Sequence, residues 1–504
     1  MKKKRFCCLL KLAVMCDLAY GNLGVRCQRA GVVVKEISVV WFRQDLRVSD
    51  NPALAEAASC GSILPIYIFD DCAPGVFQMG GASKVWLHHA LQKLDASLQG
   101  KLNLYVGYAS KMIGQLIEQH DVQNVFCNKC YEPWHVAQEK AVQQVCTQKN
   151  VLYKAFNSNY LWAPDGPLKD DGSFYKVFTA YKKRAYQSAP RATMRQPKNM
   201  ALLEDANNKT SLAQLKLLPS HKAWAKTMIS TWQVGEGAAQ EKLHSFIKKG
   251  LAGYRLGRDV PSAHHTSRLS PHLHFGEISP AQVWEAVNSF GAAQAVDADR
   301  EHFLSEIMWR EFSCYLLHHF KDLHQENFNP RFDRFPWQSN AKWLKAWQLG
   351  QTGYPLVDAG MRQLWQTGYM HNRVRMVVAS FLVKNLNIHW HHGRDWFWDC
   401  LLDADLANNS ASWQWVAGCG ADAAPYFRIF NPTSQGEKFD PQGHYVKAFV
   451  PQLQKLPDRY LCRPWKAPAD ALKAAGVVLD DTYPKPIIDL ASSRDHALQA
   501  YKNL

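Results

Sequence analysis

The first third of the chain alternates short apolar runs with longer amphipathic stretches. The amphipathic stretches, at 82–98, 111–119 and 136–148, have the apolar spacing of helices. The apolar runs predict strands at 37–42, 63–69, 102–106 and 124–127. Alternation of this kind predicts a parallel sheet covered by helices on both faces. No G-x-G-x-x-G opens the first helix, so the glycine fingerprint of a dinucleotide site is missing.

Between 168 and 235 the pattern becomes polar and proline-punctuated, as in 188–197, which reads Ser-Ala-Pro-Arg-Ala-Thr-Met-Arg-Gln-Pro. We expect no strands there, and a long crossing linker over the surface. From Glu236 the periodicity is helical. Ser279 and Pro280 are typical of an N-cap and the first helical position. Further helices are expected at about 300–320, 357–367 and 372–385.

These patterns predict an α/β parallel-sheet N-terminal domain and a larger all-α C-terminal domain. The expected boundaries are 36–167 for the α/β domain, 168–235 for the linker and 236–490 for the helical domain. Residues 1–35 resemble a signal peptide, but Lys11 interrupts the apolar run. We interpret them as an extension, disordered or created by start-site choice. No later segment has about 18 uninterrupted apolar residues, so we expect no membrane span and a cytoplasmic protein.

Composition narrows the choice of partner. The chain has 504 residues, with 59 Lys and Arg against 44 Asp and Glu, and a formal charge of +15. Such an excess favours a polyanionic partner, nucleic acid before an anionic membrane surface. The 13 cysteines are scattered, which is typical of a reduced protein. The pair at 127–130 has no second pair at zinc-ribbon spacing, and the His-Trp-His-His at 389–392 has no carboxylate or cysteine pattern nearby, so neither predicts a metal site.

The most unusual stretch is 403–432, which begins Asp-Ala-Asp-Leu-Ala-Asn-Asn-Ser-Ala-Ser-Trp-Gln-Trp. It contains two carboxylates, two amides and two tryptophans among small residues. Such a segment either surrounds a polar, planar ligand or forms a buried core loop. The first predicted strand ends in Trp-Phe-Arg-Gln-Asp-Leu-Arg at 41–47, where we expect a structural ion pair at the carboxyl edge of the sheet. Both stretches closely resemble the photolyase/cryptochrome family, its DNA-repairing branch in particular. The resemblance covers 37–465.

The resemblance implies FAD as the cofactor. The stretch Thr266, Ser267, Arg268, Leu269 and Ser270 would clamp the flavin diphosphate, and its three hydroxyls and guanidinium are apt for that. From the residues alone, a capped helix start is as good an interpretation. Further implied FAD contacts are Arg375 paired with Asp403 beneath the flavin, Asp405 at the ring edge, Asn409 opposite N5, and Tyr254, Phe303, Arg310 and Ala404.

The resemblance also implies UV-damaged DNA as the partner and a flipped-out cyclobutane pyrimidine dimer as the substrate of a monomeric enzyme. Glu306 would hold the polar edge of the dimer, and Trp309 would pack against its rings. The spacing alone equally predicts a Glu306–Arg310 pair on a solvated helix face. Further implied contacts with the dimer or the DNA backbone are Arg258, Asn372, Arg373, Met376 and Trp415.

Two further features come from the resemblance. Trp337, Trp390 and Trp413 match the electron-relay tryptophans of the family, with Trp413 nearest the flavin. Spacing alone would not select them among 18 tryptophans. A second, antenna chromophore is a further expectation, either a folate or a deazaflavin. At 132–135 the chain reads Glu-Pro-Trp-His where several folate-using relatives have an Asn-Glu pair, which leaves a deazaflavin or a differently placed antenna open.

Two alternatives to a class I-like cyclobutane pyrimidine dimer photolyase exist within the family. A (6-4) photolyase carries His where this chain has Asn372 and Met376, and Gln where it has Glu306. A cryptochrome is a light-sensing module that often has a long disordered tail, and no low-complexity tract follows Phe439 here. Those mismatches, together with the retained Trp309 and Trp415, favour dimer repair.

Overall fold

One parallel sheet organises the N-terminal part of the molecule in the computed structural model, which describes residues 36–71, 73–206, 209–221, 223–293, 296–423 and 428–504. The expected extension at 1–35 lies outside the described residues, as do 424–427 of the 403–432 stretch. The strand order is β3-β2-β1-β4-β5, with β6 also paired to β2. The strands are β1 (Glu36–Phe42), β2 (Gly61–Phe69), β3 (Asn103–Val106), β4 (Asn124–Asn128), β5 (Leu152–Phe156) and β6 (Ala201–Leu202).

Helices connect these strands and then form the rest of the described chain. Around the sheet lie α1 (Pro52–Cys60), α2 (Gly81–Ser97), α3 (Ala109–His120) and α4 (Pro133–Gln148). Next in the chain come α5 (Phe178–Ala185), whose buried side chains belong to the core of the helical part, and α6 (Ala223–Ile229), whose buried side chains join the core formed with α1 and α2. The helical part begins with α7 (Glu236–Lys249), α8 (Tyr254–Gly257), α9 (Ser270–His274), α10 (Pro280–Ala293), α11 (Asp297–His319), α12 (Ala341–Gln348) and α13 (Pro355–Thr367). It continues with α14 (Asn372–Ser380), α15 (Trp390–Cys400), α16 (Leu406–Ala417), α17 (Pro432–Phe439), α18 (His444–Phe449), α19 (Asp458–Leu461), α20 (Ala469–Ala475) and α21 (Leu490–Lys502). The predicted fold class is therefore confirmed.

The central strand β1 is apolar on both faces because helices cover both. Val40 and Phe42 belong to the core formed with α1 and α2. Val39 and Trp41 belong to the core formed with α3 and α4. Successive side chains of a strand point to opposite faces, so a strand buried on both sides needs an unbroken apolar run. Burial of each such large side chain contributes roughly 1.5–3 kcal/mol.

The predicted elements were incomplete in three places. The edge strand β5 was missed because its short Leu-Tyr-Lys-Ala-Phe alternation is half exposed. Helix α1 was missed as well, although Asn51 caps it by accepting a hydrogen bond from Leu54 N. The expectation of no strands between 168 and 235 was wrong, because β6 pairs in parallel with β2. A strand of two residues is too short to show a periodic pattern in the sequence, so β6 is recognised only by its pairing with β2.

The 41–47 stretch forms the expected ion pair and also joins the sheet to the helical part. Arg43 Nη2 lies 3.0 Å from Glu139 Oε2. The fully buried Arg47 donates to Asn159 Oδ1 at 3.0 Å and to the Gly276 carbonyl at 2.9 Å. A buried guanidinium needs an acceptor for each N–H, so these contacts fix the position of the helical part against the sheet.

Within the helical part, the predicted helices at 300–320 and 357–367 correspond to α11 and α13. The one predicted at 372–385 is α14, continued by a single π-helical turn at Phe381–Asn385. Ser279 caps α10 as expected: its Oγ accepts from Gln282 N at 3.0 Å, and Gln282 Oε1 accepts from Ser279 N at 2.9 Å. The two hydrogen bonds form a capping box.

The C-terminal segment is fastened to α13 by one buried carboxylate. Asp358 accepts from Thr352 N at 2.7 Å, from Gly353 N at 3.1 Å and from Tyr483 Oη at 2.7 Å. Ile487 N donates to the Thr352 carbonyl at 3.0 Å. Gly353 has φ +78°, and a Cβ there would lie 2.4 Å from the Lys485 backbone. The close approach of the two chain segments therefore requires glycine at this position.

None of the helices in the described ranges is both long and apolar enough to cross a membrane. The cysteines of the described part, from Cys60 to Cys462, are free thiols, and the reduced state expected from their scatter stays a prediction.

Candidate functional site

A cavity of about 530 Å³ opens into the helical part between α8, α9, α11, α14 and α16. Its volume lies within the range of cofactor-binding sites, roughly 300–1,000 Å³. Most of the side chains predicted from the sequence line it: Tyr254, Arg258, Thr266, Ser267, Arg268, Leu269, Ser270, Phe303, Glu306, Trp309, Arg310, Asn372, Arg375, Met376, Asp403, Asp405, Asn409, Trp413 and Trp415. Four predicted side chains are not part of its wall: Arg373, Ala404, Trp337 and Trp390.

The 266–270 loop forms one wall with hydroxyls and a guanidinium. Arg268 has φ +52°, an uncommon conformation for a residue other than glycine. Its guanidinium lies over the Trp232 ring at 4.3 Å and the Tyr369 ring at 5.1 Å. The buried Nε of Arg268 has no hydrogen-bond partner in the described chain. A half-buried guanidinium whose Nε has no partner, set beside hydroxyls, fits the diphosphate of a nucleotide cofactor.

Near this loop, Arg375 and Asp403 form the expected ion pair. Arg375 Nη2 lies 2.8 Å from Asp403 Oδ2, and Arg375 Nε donates to the Met370 carbonyl at 2.7 Å. The second oxygen, Asp403 Oδ1, is buried without a partner among the described residues. Two orphaned polar atoms in one cavity, one cationic and one anionic, indicate a polar ligand rather than an apolar core.

Asp405 begins α16 and supports its first turn. Its Oδ1 accepts from Asn408 N at 2.7 Å and from Asn408 Nδ2 at 2.8 Å. Burial opposes ionisation, but His274, whose Nδ1 lies 4.0 Å away, and the Arg310 charge outweigh it, so the pKa of Asp405 lies below its usual value. A stable negative charge therefore faces the cavity at neutral pH.

Asn409 lies one residue beyond Asn408 on α16. Its Nδ2 donates to the Arg394 carbonyl at 3.0 Å, an assignment that follows from the hydrogen-bond network. One amide N–H is engaged, and the carbonyl oxygen is available to accept from a donor in the cavity. An acceptor at this position suits a protonated ring nitrogen of a reduced flavin.

Two of the residues that the family resemblance assigns to the substrate lie on α11, where Glu306, Trp309 and Arg310 share one face. The Glu306 carboxylate forms an ion pair with Arg258. The alternative Glu306–Arg310 pair does not form, because Arg310 Nη1 donates to the Asn159 carbonyl at 2.7 Å. Trp309 stacks on Phe178, with ring centroids 3.8 Å apart and planes 8° from parallel. The predicted linker therefore supports the cavity through Phe178, a contribution that the sequence did not indicate.

Helix α14 contributes Asn372, which is exposed, and Met376, which is half-buried; both line the cavity. Arg373 faces elsewhere. Its Nη2 lies 2.6 Å from Asp259 Oδ2, and its guanidinium lies 4.6 Å from the Phe439 ring centroid. Asp259 was not predicted, since nothing in the sequence marks it as the partner of an arginine 114 residues away.

The three tryptophans of the proposed relay lie at different depths. Trp413 lines the cavity, Trp390 is fully buried, and Trp337 is half-buried. The His389 ring lies between the outer two, 5.0 Å from Trp337 and 5.7 Å from Trp390. On α15, Gly393 lies against Trp413, since a Cβ there would come within 2.1 Å of the ring.

A second, smaller cavity of about 90 Å³ lies at the carboxyl edge of the sheet. Ala404 lines this cavity instead of the larger one. Trp134 lines it and stacks on Phe77 at 6.0 Å, and Glu132 and His135 complete one wall. The volume is below the usual range for a small molecule. A chromophore could enter only if Trp134 or its neighbours moved.

Tyr369 is a cavity residue that sequence reasoning missed. The guanidinium groups of Arg268 and Arg375 lie 5.1 Å and 5.4 Å from its ring. The aromatic ring thus holds two cationic side chains on the same wall. No local pattern identifies it, because the two arginines come from distant segments.

The fold and the cavity together define a flavoprotein whose nucleotide-sized site lies inside its helical part. The chain belongs to the photolyase/cryptochrome family. Residues 38–201 match the family model described as DNA photolyase, and residues 303–503 match the one described as FAD binding domain of DNA photolyase. The predicted FAD cofactor agrees with that domain and with the unpartnered Arg268 and Asp403 atoms.

Relatives from both branches of the family are similar to this chain. A deoxyribodipyrimidine photo-lyase of Agrobacterium fabrum is 46% identical over 92% of this chain and 97% of its own length. Cryptochrome-2 of Arabidopsis thaliana is 34% identical over 91% of this chain and 77% of its own. The crystal structure of a class III photolyase from Agrobacterium tumefaciens is 45% identical, with a TM-score of 0.90 over 94% of this chain and 99% of that one. The class I-like assignment stays a prediction.

Proposed function

We propose that this protein is a light-dependent DNA repair enzyme that splits cyclobutane pyrimidine dimers. The observation that carries the proposal is the content of one cavity. One cavity is lined both by residues that the family resemblance assigns to the dimer and by residues that it assigns to the flavin. The first group is Glu306, Trp309, Asn372, Met376 and Trp415, and the second is Asp403, Asp405 and Asn409. A shared cavity permits an electron to pass directly between cofactor and substrate.

The chain binds substrate through the mouth of the cavity. A dimer stacks poorly in duplex DNA, so its extrusion costs less than that of normal bases. Trp309 and Trp415 present aromatic faces to it, and Trp309 is held rigid by its stack on Phe178. Contacts to phosphates by Arg258 and the formal charge of +15 would supply affinity without sequence preference.

Within the cavity, the protein positions groups and fixes charge. Bound, fully reduced FAD would supply the light-driven one-electron chemistry that dimer splitting requires. Thr266, Ser267 and Arg268 would hold the diphosphate, while the Arg375–Asp403 pair would set the charge beneath the ring. Glu306 would hydrogen-bond the polar edge of the dimer. Only the protonated carboxyl can donate, so it is in that form that Glu306 would stabilise the extra negative charge through a preorganised contact.

A cyclobutane dimer photolyase is favoured over a (6-4) photolyase because Asn372 and Met376 line the cavity where those enzymes carry His. A cryptochrome role is the second candidate, since plant cryptochromes are about one-third identical to this chain over most of its length. A folate or deazaflavin antenna remains part of the proposal. Its site would require rearrangement if it is the cavity of about 90 Å³ beside Trp134.

The test is dimer repair by the purified, chemically reduced protein under near-UV to blue light. Oligonucleotides carrying one cyclobutane dimer or one (6-4) photoproduct are illuminated in parallel, with dark controls. Light-dependent restoration of the first substrate alone supports the proposal. Repair of the second alone identifies a (6-4) photolyase. Repair of neither, with FAD bound and reducible, identifies the cryptochrome alternative.

A further inference from the structure

A second group of chemically distinctive side chains lies at the carboxyl edge of the sheet, outside the main cavity. Cys130 and Glu132 follow β4 (124–128), and His135 lies in the first turn of α4 (133–148). The Cys130 Sγ, one Glu132 oxygen and one His135 ring nitrogen all lie within 4.8 Å of one another. We propose that these three side chains bind one divalent transition-metal ion of the zinc class. The proposal is independent of the proposed DNA repair activity.

The donor set suits such an ion. Thiolate sulfur, imidazole nitrogen and carboxylate oxygen are the three ligand types that bind Zn²⁺, at roughly 2.0–2.3 Å. Donors that already converge within 4.8 Å can reach those distances through side-chain rotation. Cys130 and Glu132 are buried and His135 is half-buried, so the ligands are not a solvated surface cluster. Three protein ligands leave one tetrahedral position open.

The position in the fold independently favours a ligand site. The strand order β3-β2-β1-β4-β5 reverses direction between β1 and β4. In open parallel sheets, ligands bind at the carboxyl ends of the two strands that flank such a switch point. Gln44 follows β1, and Cys130 and Glu132 follow β4, so the cluster occupies that crevice.

A neighbouring side chain already orients one ligand. Gln44 Nε2 donates to Glu132 Oε1 at 2.7 Å, which directs the other oxygen toward the cluster. That oxygen, Glu132 Oε2, lies 3.0 Å from His135 Nδ1. Hydrogen bonds that fix the orientation of a ligand are typical of metal sites, and their loss usually weakens metal binding.

The local charges favour a cation. The nearby Arg43 guanidinium is paired with Glu139, Nη2 to Oε2, at 3.0 Å. The Glu132 carboxylate and a Cys130 thiolate would supply two negative charges to the ion, and the buried Asp45 carboxylate adds a third near Cys130. Cys127 is not part of the set, because its Sγ contacts Tyr153 Oη at 3.2 Å and Arg43 Nη2 at 3.4 Å. The Cys-x-x-Cys spacing therefore supplies one ligand.

Access to the open position comes from the second cavity. Glu132 and His135 line this space of about 90 Å³. A water molecule needs roughly 10–15 Å³ of such volume, so the cavity has room for water on the ion. The same volume is too small for a typical organic ligand without rearrangement.

Zinc binding by the untagged holoprotein tests the proposal. The protein is dialysed with a small excess of Zn²⁺ and then against metal-free buffer, and the retained metal is measured by mass spectrometry and binding by calorimetry. We expect one Zn²⁺ per chain in the wild type and a rise in Tm on zinc addition. Cys130→Ser and His135→Gln should each abolish retention. Gln44→Ala should weaken binding by roughly 10–100-fold, since it only orients Glu132.

Cys462→Ser is the matched control, because Cys462 is a partly exposed thiol outside this cluster. It should retain zinc like the wild type. If Cys130→Ser fails to fold, the half-buried His135→Gln still decides the question. Absence of retained zinc in the wild type, or equal retention by wild type and His135→Gln, would overturn the proposal.

Discussion

The Arg258 guanidinium forms an ion pair with the Glu306 carboxylate across the wall of the main cavity. The two side chains are 15% and 32% exposed, so the pair is only partly screened by water. The cation expected to contact DNA thus holds the carboxylate expected to contact the dimer. Substrate binding must redistribute these contacts, because Glu306 cannot give its full hydrogen-bonding capacity to both partners.

Arg258→Ala should reduce the affinity for dimer-containing duplex and lower the salt dependence of binding by about one charge. Dissociation constants measured from about 50 to 200 mM salt give the slope. Arg494→Ala, in an exposed position on α21, is the control and should leave the slope unchanged. An unaltered slope for Arg258→Ala would show that Arg258 serves Glu306 alone.

Glu306→Ala should lower the repair yield per absorbed photon while FAD stays bound. The physical reason is the loss of a preorganised hydrogen bond to the dimer, a contact worth about 10²–10³ in rate in comparable oxyanion sites. Flavin absorbance of the purified variant and the quantum yield of splitting are measured together. Loss of the flavin itself would instead make Glu306 a cofactor or fold residue.

Trp337→Phe should block photoreduction of oxidised flavin by an external thiol, yet leave repair intact after chemical reduction. The half-buried Trp337 is the outermost member of the proposed relay, where an external donor would act. Trp365→Phe is the control, because Trp365 is 60% exposed and stacks on Trp396 rather than on the relay. Normal photoreduction in the Trp337 variant would contradict the relay assignment.

Gly393→Ala should displace Trp413, because the new Cβ would lie 2.1 Å from the ring. Overpacking of this kind costs about 1–3 kcal/mol, and the shifted ring should also slow photoreduction. Gly237→Ala is the matched helical control, with nothing within 4 Å of its Cβ. Denaturant unfolding should show a loss of stability for Gly393→Ala only. Equal stability of both variants would disprove the close contact.

Glu311→Gln should weaken the pH dependence of stability. Burial raises the pKa of Glu311 to about 8, although Leu161 N donates to its carboxylate at 2.8 Å. The unfolded chain has the ordinary value near 4.3. The folded state therefore keeps a proton that the unfolded state releases, and the free energy of unfolding falls as pH rises through this window.

The Tm of wild type and Glu311→Gln is compared from about pH 5 to about pH 8. Between these two pH values the Tm of Glu311→Gln should fall by less than the Tm of the wild type. His371, whose pKa burial lowers to about 4, is present in both proteins and cancels in the difference. Parallel Tm curves would show that Glu311 is ionised in the native state.

Most of the strands and helices could be predicted from the sequence, because the patterns that indicate them lie within short segments of the chain. Strand β1 ends in the unbroken apolar run 39–42, and α10 begins with a capping box that spans four residues. The 266–270 and 403–409 stretches were found because family resemblance marks whole segments. Pairings between distant segments carry no such signal. Arg258 meets Glu306 across 48 residues, and Arg373 turns to Asp259 instead of the cavity. Ala404 lies between two predicted flavin contacts, but it lines the smaller cavity.

The attachment of Tyr483 to Asp358 orders events during synthesis. The described cavity walls end at residue 421, so all of them leave the ribosome before Tyr483 is made. Until then the Asp358 carboxylate lacks one of its three donor residues, and water must take that place. Domains fold as units in the order of their synthesis. In this helical part the hydrogen bonds of Asp358 are complete only when 483–488 dock, after every described wall of the cavity has been made.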